Sequence, residues 1–359
     1  MPGSVLKAFQ ASLAAYDDWL RRHCDAVEPE IAARHRLMAA APFAFQRATC
    51  FRFAERLPAL APELLDATMV PSVGDAHTDN FGTWRDAEGR LVWGVSDLDE
   101  AALLPWTVDL ARLAASARLG RKGDAPRTQE IAAAILHGYA KQLPAPRPFV
   151  LDETHSELRK FVVPTETSRA KFWDDMKNLH AAPPPPGWRE ALQAAMPEGA
   201  VAERIAPRAA GLGSRGRPRF VMLALWRGGR VAREAKARLP SAYLYAKFPG
   251  ARPVPLEEML AGPGHVPDPW ARIAPQLLVR RLAPDSRKLD APKDDAEVTL
   301  TLLEAMGAEL ANLHAGAGQG AALVRELKAR PADWLRDAAK RLAETTAEEH
   351  AAWQAYIEG

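Results

Sequence analysis

Two short segments between residues 74 and 100 concentrate the side chains of this sequence that could do chemistry. The first reads GDAHTDN and the second reads SDLDEA. Their polar and glycine members are Gly74, Asp75, His77, Asp79, Asn80, Asp97, Asp99 and Glu100. Like charges held close together repel, so such a cluster is stable when it is exposed, protonated or neutralised by a cation. Two solvated turns would use the same residue types, and composition alone fits that interpretation equally well.

The spacing of these residues favours phosphoryl transfer. Kinase-like enzymes use an Asp that accepts the substrate hydroxyl proton and an Asn that binds metal, in a D-x-x-x-x-N pattern. They also use a second Asp, on a neighbouring strand end, for the Mg²⁺ that bridges the phosphates. Asp75 and Asn80 have this spacing, and Asp97 follows the next predicted strand. Every part of the set is therefore present.

A glycine turn and a lysine occur later in the chain. Kinases cover the nucleotide phosphates with a glycine-rich turn and contact them with a strand lysine. The segment GLGSRG contains Gly211, Gly213 and Gly216, and Lys236 lies in the following predicted strand. A single G-x-G turn is more often a plain hairpin turn. The chain has only 12 lysines against 35 arginines, so a lysine at this distance modestly favours phosphate binding.

Helices and strands must position these residues. Apolar residues at three- and four-residue spacings predict helices over residues 4–66. The runs MVPSVGDAH and LVWGVSD predict two strands joined by a loop, a hairpin whose strands both end in acids. The helical pattern resumes in VDLARLAASARL and IAAAILHGYAKQL.

The second half of the chain predicts a smaller sheet. Residues 143–187 contain PAPRPF and PPPP, which exclude regular helix and central strand, so we expect a connector with one short helix around KFWDDMKNLH. The sequence after the glycine turn predicts a β-hairpin, and residues 276–282 predict a third strand. From residue 300 onward the pattern is helical.

Composition limits the possible partners and compartments. The chain has 359 residues with 47 Lys+Arg and 45 Asp+Glu, a net charge of +2, which argues against nucleic-acid binding by bulk electrostatics. Cys24 and Cys50 cannot form a disulfide framework and suit a reducing compartment. No apolar run approaches the ~18 residues that span a bilayer, and Asp17 and Asp18 interrupt any signal peptide. We therefore expect a cytoplasmic protein without membrane or nucleic-acid partners, while the oligomeric state stays open.

Two resemblances make the prediction specific. The segment SDLDEAALLPWTVDLARL is similar to the metal-binding segment of aminoglycoside and choline kinase-like phosphotransferases, in which an Asp-Leu-Ala that opens a helix follows the metal Asp by twelve residues. Asp97 and Asp109 reproduce that interval. The segments APFAFQRAT, VPSVGDAHTDNFGTW, GLGSRG, EAKA, LLVRRL and MGAELANLHA together resemble a bacterial family known as domain of unknown function 2252, over roughly residues 35 to 320. That family is grouped with the protein-kinase-like superfamily.

The resemblance implies an α+β, protein-kinase-like two-lobed fold with circularly permuted motif order, because the glycine turn and lysine here follow the catalytic segment. We expect a nucleotide in the cleft between the lobes, as ligand sites favour domain interfaces. The expected regions are a helical lobe with the catalytic and metal-binding hairpin (1–142), a proline-rich connector (143–200), a small nucleotide-binding lobe with β-strands (201–285) and C-terminal helices that pack on the large lobe (286–359).

The resemblance also implies an ATP- and Mg-dependent phosphotransferase that acts on a small hydroxyl-bearing molecule. The catalytic segment would supply Asp75 as the base and His77 as an orienting residue or substrate contact, unless His77 only satisfies local backbone groups. The implied metal ligands are Asn80 and Asp97, with Asp99 for a second metal. The implied nucleotide-binding residues are Gly211, Gly213, Gly216 and Lys236.

The sequence departs from the kinase pattern in two places. Kinase catalytic loops begin His-Gly-Asp or His-Arg-Asp, whereas Val73 precedes Gly74 here and the histidine has moved to position 77. The glutamate that pairs with the strand lysine is also unassigned. The candidates are Glu257 and Glu258, while Glu234 is close in sequence but would share the strand face of Lys236.

Less weight falls on other charged residues. Asp79 and Glu100 are expected to be solvated turn residues, and Arg47 a surface residue. A solvated basic turn is expected for the charges around the third strand, with a phosphate-facing loop as the alternative. These charges are Arg280, Arg281, Arg287 and Lys288.

Two other functions remain open on the sequence. A metal-dependent phosphohydrolase could hold one or two metals with Asp75, His77, Asp97 and Asp99, and would explain the histidine but not the glycine turn or Lys236. A non-catalytic, nucleotide-binding protein could retain the kinase-like fold.

Overall fold

The chain folds into helices and antiparallel sheets. This is the α+β class that the sequence predicts. The computed structural model describes residues 2–121, 126–153, 155–159, 161–162, 164–288, 295–316 and 318–359. The α-helices in these ranges are α1 (Pro2–His23), α2 (Glu28–Leu37), α3 (Pro42–Ala48), α4 (Cys50–Leu60), α5 (Thr107–Leu119), α6 (Thr128–Gln142), α7 (Ser156–Arg159), α8 (Glu166–Lys177), α9 (Trp188–Ala194), α10 (Ala242–Tyr245), α11 (Leu256–Ala261), α12 (Ala296–Ala315), α13 (Gly320–Ala329) and α14 (Trp334–Glu358). None of them is long and apolar enough to cross a membrane.

The strands form three sheets within the described residues. They are β1 (Met69–Ser72), β2 (Phe81–Arg85), β3 (Leu91–Val95), β4 (Ala102–Pro105), β5 (Phe149–Val150), β6 (Val201–Pro207), β7 (Arg219–Trp226), β8 (Gly229–Ala237), β9 (Arg272–Ile273) and β10 (Leu277–Leu282). The sheet orders are β1-β4, β2-β3-β5 and β6-β7-β8-β10-β9.

Helix α5 lies at the centre of the helical body. All its residues from Thr107 to Ser116 are buried, including Asp109 and Arg112. A charged side chain inside a core needs polar partners, because an unpaired buried charge is strongly unfavourable. Both residues hydrogen-bond to the segment after β1, so α5 holds that segment in place.

The two acidic segments do not form the predicted single hairpin, and that prediction is wrong. Strand β1 pairs with β4, whereas the run LVWGV pairs with FGTWR, which the sequence had left in the loop. The DAEG segment makes the turn between β2 and β3, where Asp86 Oδ1 accepts the backbone N–H groups of Glu88 and Arg90. The acidic ends still meet, since the Ser96 N–H donates to the Asn80 carbonyl over 2.9 Å.

The five-stranded sheet contains the predicted hairpin and one strand that was not predicted. Strands β7 and β8 pair antiparallel through a two-residue turn at Arg227 and Gly228, which both have positive φ (46° and 82°). Such mirror-image turns match the right-handed twist of a hairpin. Strand β10 pairs with β8 as the third predicted strand, and β6 adds an edge that the sequence analysis missed.

Alternation along β8 separates the two faces of this sheet. Successive strand residues point to opposite faces. Ala235 and Ala237 pack into an apolar cluster with Trp188 and Leu192 at α9. Glu234 and Lys236 therefore belong to the other face, where Lys236 contacts the second acidic segment and Glu234 pairs with arginines.

Candidate active site

A cavity of about 620 Å³ lies where the acidic segments, the glycine turn and the five-stranded sheet meet. The predicted site residues that line it are Asp75, His77, Asn80, Asp97, Asp99, Gly211 and Gly213. Gly216 and Lys236 are not among the lining residues. Segments more than a hundred residues apart in the chain thus converge on one cavity.

Asp109 fixes the backbone just before Asp75. Its Oδ2 accepts the Val73 N–H over 2.7 Å, and its Oδ1 accepts the Gly74 N–H over 2.9 Å. His314 Nε2 donates to Oδ2 over 3.1 Å, and Tyr139 Oη lies 2.9 Å from the other imidazole nitrogen. Asp109 and His314 are both fully buried, so the core itself anchors this segment.

Asp75 is oriented by a buried arginine. Arg112 Nε donates to Asp75 Oδ1 over 2.7 Å, and Arg112 Nη2 contacts the same oxygen. Burial would raise the pKa of Asp75, but the charge and the hydrogen bonds of Arg112 outweigh it and lower the pKa below its usual value. Asp75 is therefore an ionised carboxylate at neutral pH, with Oδ1 engaged by Arg112.

His77 is neutral and partly engaged by the backbone. Its Nδ1 accepts the Asp79 N–H over 3.1 Å, and its Nε2 lies 3.7 Å from Asp75 Oδ2. Burial lowers its pKa to about 3, against the opposing attraction of Asp75. The proton of the neutral ring then sits on Nε2 and faces Asp75. His77 thus caps the short turn at Thr78–Asn80 and also lies next to Asp75, the predicted base.

Asn80 joins the two acidic segments. Its Nδ2 donates to the carbonyls of Asp75 and Asp97, each over 3.0 Å. Both amide hydrogens are thereby used, which leaves Oδ1 as the polar atom available to a ligand. Asn80 lies on the cavity wall, so this oxygen could ligate a cation beside Asp97.

Lys236 pairs with both acids of the second segment. Its Nζ lies 3.1 Å from Asp97 Oδ1 and 3.0 Å from Oδ2, and it also contacts Asp99 Oδ2. Burial raises the pKa of Asp97, but Lys236 and Arg280 override it and hold that pKa far below its usual value. Burial and the neighbouring Asp97 charge raise the pKa of Asp99. Asp97 therefore loses its proton more readily than Asp99, and 36% of the Asp97 side chain is exposed.

The glutamate candidates do not pair with Lys236 among the described side chains. Glu234 is fully buried and pairs with Arg208, Arg219 and Arg280 instead. Glu257 is exposed. The side chain of Glu258 lies outside the described residues. The partners of Lys236 are instead the carboxylates of Asp97 and Asp99.

The glycine turn packs directly on the catalytic segment. A Cβ placed on Gly213 would lie 2.6 Å from the Arg47 carbonyl oxygen and 3.8 Å from Asp75 Oδ2, so only glycine allows this approach. Gly211 has φ +71° and lines the cavity. Gly216 instead faces α1 and α2, where a Cβ would meet Ile31 Cγ1 at 2.7 Å.

Two residues expected at the solvated surface are engaged at the site. Asp79 Oδ2 accepts from Arg47 Nη1 over 2.9 Å at the cavity wall. Glu100 is buried and accepts from Arg217 Nη2 over 2.5 Å. The expectation that Asp79 and Glu100 are solvated is therefore wrong, because turn composition gives no information on which arginines fold over the turn.

The sequence analysis missed several functional candidates. Arg112 follows Asp109 by three residues, close to one helical turn. This spacing places both on the α5 face toward Asp75 and was the available signal. The chain has 35 arginines, and no sequence feature distinguishes Arg208 and Arg219 from the others. Arg280 was expected in a solvated turn, but it lines the cavity.

No group of three or more His, Cys, Asp or Glu side chains is arranged to hold a metal ion by itself in the described part of the chain. The oxygens that remain for a cation are those of Asp97, Asn80 and Asp99. A cation here would complete its shell with oxygens of a ligand.

Comparison with known proteins gives one match. The model of a family described as "Uncharacterized protein conserved in bacteria" (DUF2252) matches residues 26–181. No curated protein and no solved structure matches the chain. The matched segment carries Asp75, Asn80 and Asp97 and ends before the glycine turn and Lys236. Residues 26–181 are therefore similar to this bacterial family, as the motifs in that part of the sequence predicted.

Proposed function

We propose that this protein is an ATP- and Mg-dependent phosphotransferase that acts on a small hydroxyl-bearing molecule. One observation carries the proposal: Lys236 Nζ lies within 3.1 Å of Asp97 at the cavity that also contains Asp75 and Asn80. A kinase needs a base, two metal ligands and a strand lysine close together. The contact between Lys236 and Asp97 joins two parts of the chain whose proximity no sequence spacing could predict.

The five-stranded sheet supports a kinase-like fold. In protein kinases the phosphate-binding lysine lies on the third strand and follows a glycine-rich turn. Lys236 lies on β8, the third strand of this sheet in chain order, and the glycine turn precedes β7. The sheet follows the catalytic segment in the chain instead of preceding it, so the proposed fold is a two-lobed kinase fold in permuted order.

The residues at the cavity fit Mg²⁺ and a nucleotide. Magnesium in proteins prefers one or two carboxylates together with phosphate oxygens and water. Asp97 and the Oδ1 of Asn80 would hold the metal, with Asp99 available for a second. When bound, the metal would neutralise negative charge on the phosphates.

The cavity also has apolar walls that suit a nucleobase. Ligand pockets are mostly apolar, with a few polar groups that fix orientation. The aliphatic residues that line this cavity include Leu212, Leu256, Leu260, Ile273, Leu278 and Leu282. The acidic residues and arginines supply the polar part of the same space.

Asp75 would orient the acceptor hydroxyl and take its proton. Arg112 holds Oδ1, so Oδ2 is the oxygen left to face a substrate. Because its pKa is lowered, Asp75 is a weak base, and its main contribution is to align the hydroxyl before the proton leaves. The Nε2–H of His77, 3.7 Å from Oδ2, limits how that carboxylate can rotate.

The geometry does not favour the phosphohydrolase alternative. That function would use His77 as a metal ligand through an unprotonated ring nitrogen. Nδ1 accepts a backbone N–H, and Nε2 then carries the proton. Neither nitrogen is free for a metal.

The test is nucleotide binding and transfer by the full chain. We expect ATP to bind more tightly with Mg²⁺ than with EDTA by calorimetry. We also expect labelled γ-phosphate to appear on water or on one member of a panel of small alcohols, sugars and amino alcohols. A protein that binds no nucleotide under either condition contradicts the proposal.

The close approach of Gly213 predicts a large effect of one methyl group. In Gly213→Ala, the Cβ conflicts with the Arg47 carbonyl, so the glycine turn must move away from Asp75. We expect ATP turnover to fall by about 10- to 100-fold, the loss typical of a displacement of about 1 Å at a reacting centre. ATP turnover and thermal unfolding of the variant measure this.

Gly229→Ala is the matched control. Gly229 begins β8, and the atom nearest to its Cβ would be the Trp226 carbonyl oxygen at 4.0 Å. This variant should keep the turnover of the unmodified protein. Equal turnover in both variants would show that the glycine turn does not contribute to the site.

A further inference from the structure

Three arginines from three strands or strand ends of the sheet surround Glu234 at the cavity. They are Arg208, Arg219 and Arg280, and we call them the arginine triad. We propose that the arginine triad, and not Lys236, holds the phosphate chain of an oligophosphate ligand. The identification of that ligand as a nucleoside triphosphate rests on the proposed function, whereas the site itself can be tested with inorganic tripolyphosphate.

The triad is built around one buried carboxylate. Arg219 Nη1 lies 2.5 Å from Glu234 Oε1, and Arg280 Nε and Nη2 lie 3.0 and 2.9 Å from the same oxygen. Arg208 Nη1 contacts Oε2. Glu234 is fully buried beneath them and does not line the cavity, whereas all three arginines do. A single glutamate therefore fixes three guanidinium groups at the cavity wall.

Donors of the triad remain for a ligand. A guanidinium carries five N–H donors, and Arg208 contacts Glu234 through one nitrogen. The side chains of Arg208 and Arg280 keep 25% and 30% of their surface exposed. Planar guanidinium groups bind phosphate oxygens with paired hydrogen bonds. The triad thus presents preoriented phosphate donors.

The local charge balance leaves room for an anion. Five cations and four carboxylates make up this cluster: Arg208, Arg217, Arg219, Lys236 and Arg280, with Asp97, Asp99, Glu100 and Glu234. Excess positive charge in a partly buried recess is unfavourable unless an anion balances it. Any divalent cation at Asp97 would increase that excess, and an oligophosphate would offset it.

Lys236 is placed differently from the triad. Only 3% of its side chain is exposed, and Asp97 and Asp99 surround its ammonium group. A phosphate could reach Nζ only if it displaced two carboxylates. The structure therefore makes Lys236 a positioning residue for Asp97.

The triad also secures the glycine turn. Arg219 Nη2 donates to Ser214 Oγ over 2.8 Å, within the turn that lines the cavity. Glu234 holds the guanidinium of Arg219, and Arg219 holds the turn. The buried carboxylate, the arginines and the turn thus form one unit.

Calorimetric titration of the full chain with AMP, ADP, ATP and inorganic tripolyphosphate tests the proposal. Affinity should rise with the number of phosphates. In Arg208→Gln and in Arg280→Gln, we expect the Kd of ATP and tripolyphosphate to rise about 10-fold or more, while the Kd of AMP changes less than about threefold, since charge-assisted hydrogen bonds to the outer phosphates are lost. Lys236→Met should change the Kd of tripolyphosphate by less than about threefold because its ammonium does not reach the cavity. Arg230→Gln, an exposed arginine of β8 paired with Glu203, is the matched control and should change nothing.

The outcomes separate this proposal from the proposed function. If Arg208→Gln and Arg280→Gln bind tripolyphosphate as the unmodified protein does, the triad is not the site, even where ATP is bound and turned over. If Lys236→Met weakens tripolyphosphate binding more than either arginine variant, the lysine is the anchor. If the triad variants weaken binding as expected but no acceptor is ever phosphorylated, the proposed function fails and the triad stands. Arg208 is partly exposed, so its variant tests the triad even if Lys236→Met does not fold.

Discussion

Replacing Asp97 with asparagine is expected to reduce Mg-dependent ATP turnover by about 10³-fold, because loss of metal-mediated charge stabilisation costs several kcal/mol in the transition state. Asparagine has nearly the same shape as aspartate, and Lys236 retains its contact with Asp99. The fold should therefore survive, with a melting temperature close to that of the unmodified protein. Turnover and thermal unfolding measured on the same preparation check both parts.

A second readout of Asp97→Asn does not depend on the acceptor. In the unmodified protein Mg²⁺ should tighten ATP binding, because the Asp97 carboxylate and the phosphates share the metal. The variant should bind ATP with the same Kd in Mg²⁺ and in EDTA. An unchanged response to Mg²⁺ in Asp97→Asn would exclude Asp97 as a metal ligand.

Asp79→Asn is the matched control for this prediction. Asp79 also lines the cavity, and the substitution removes one negative charge with the same change of shape. Its carboxylate accepts from Arg47 and is not an assigned metal ligand. We expect turnover to fall less than about 10-fold, since a partly exposed ion pair contributes little. A similar loss in both variants would attribute the effect to net charge in the cavity.

The sequence could predict the chemistry of the acidic segments but not their pairing. The D-x-x-x-x-N spacing of Asp75 and Asn80 and the position of Asp97 after a strand are local features. Strand pairing is not local: LVWGV could pair with either neighbouring run, and the tight DAEG turn favoured FGTWR. Strand β6 was missed because its burial pattern is not an alternation of apolar and polar residues, with Val201 exposed.

Long-range contacts account for most of what sequence patterns could not provide at the site. Lys236 and Asp97 are 139 residues apart, so no local pattern in the sequence predicts that Nζ and Asp97 Oδ2 lie 3.0 Å apart. The same holds for Glu234, which lies two residues before Lys236 and shares its strand face. Glu234 pairs instead with Arg208, Arg219 and Arg280. In an arginine-rich chain, only the folded structure shows which arginines face a cavity.

Asp109→Ala is expected to destabilise the protein by about 3 to 5 kcal/mol, the range found when one partner of a buried charged or hydrogen-bonded group is removed. The substitution leaves three donors without their acceptor: the N–H groups of Val73 and Gly74 and Nε2 of His314. All three lie in the core, where water cannot replace the lost partner. Denaturant unfolding of the full chain measures the change.

The position of Asp109 links this stability effect to the site. Val73 and Gly74 directly precede Asp75, so loss of their anchor frees the backbone that positions the proposed base. Asp109→Asn keeps one oxygen acceptor but turns an N–H₂ group toward the other donors. Its stability should lie between that of the unmodified protein and that of Asp109→Ala. Asp337→Ala removes a carboxylate from the surface of α14, 49% exposed and paired with Arg336, and should cost less than about 1 kcal/mol. If Asp109→Ala proved as stable as Asp337→Ala, the core would not be what holds the catalytic segment, and the placement of Asp75 would need another cause.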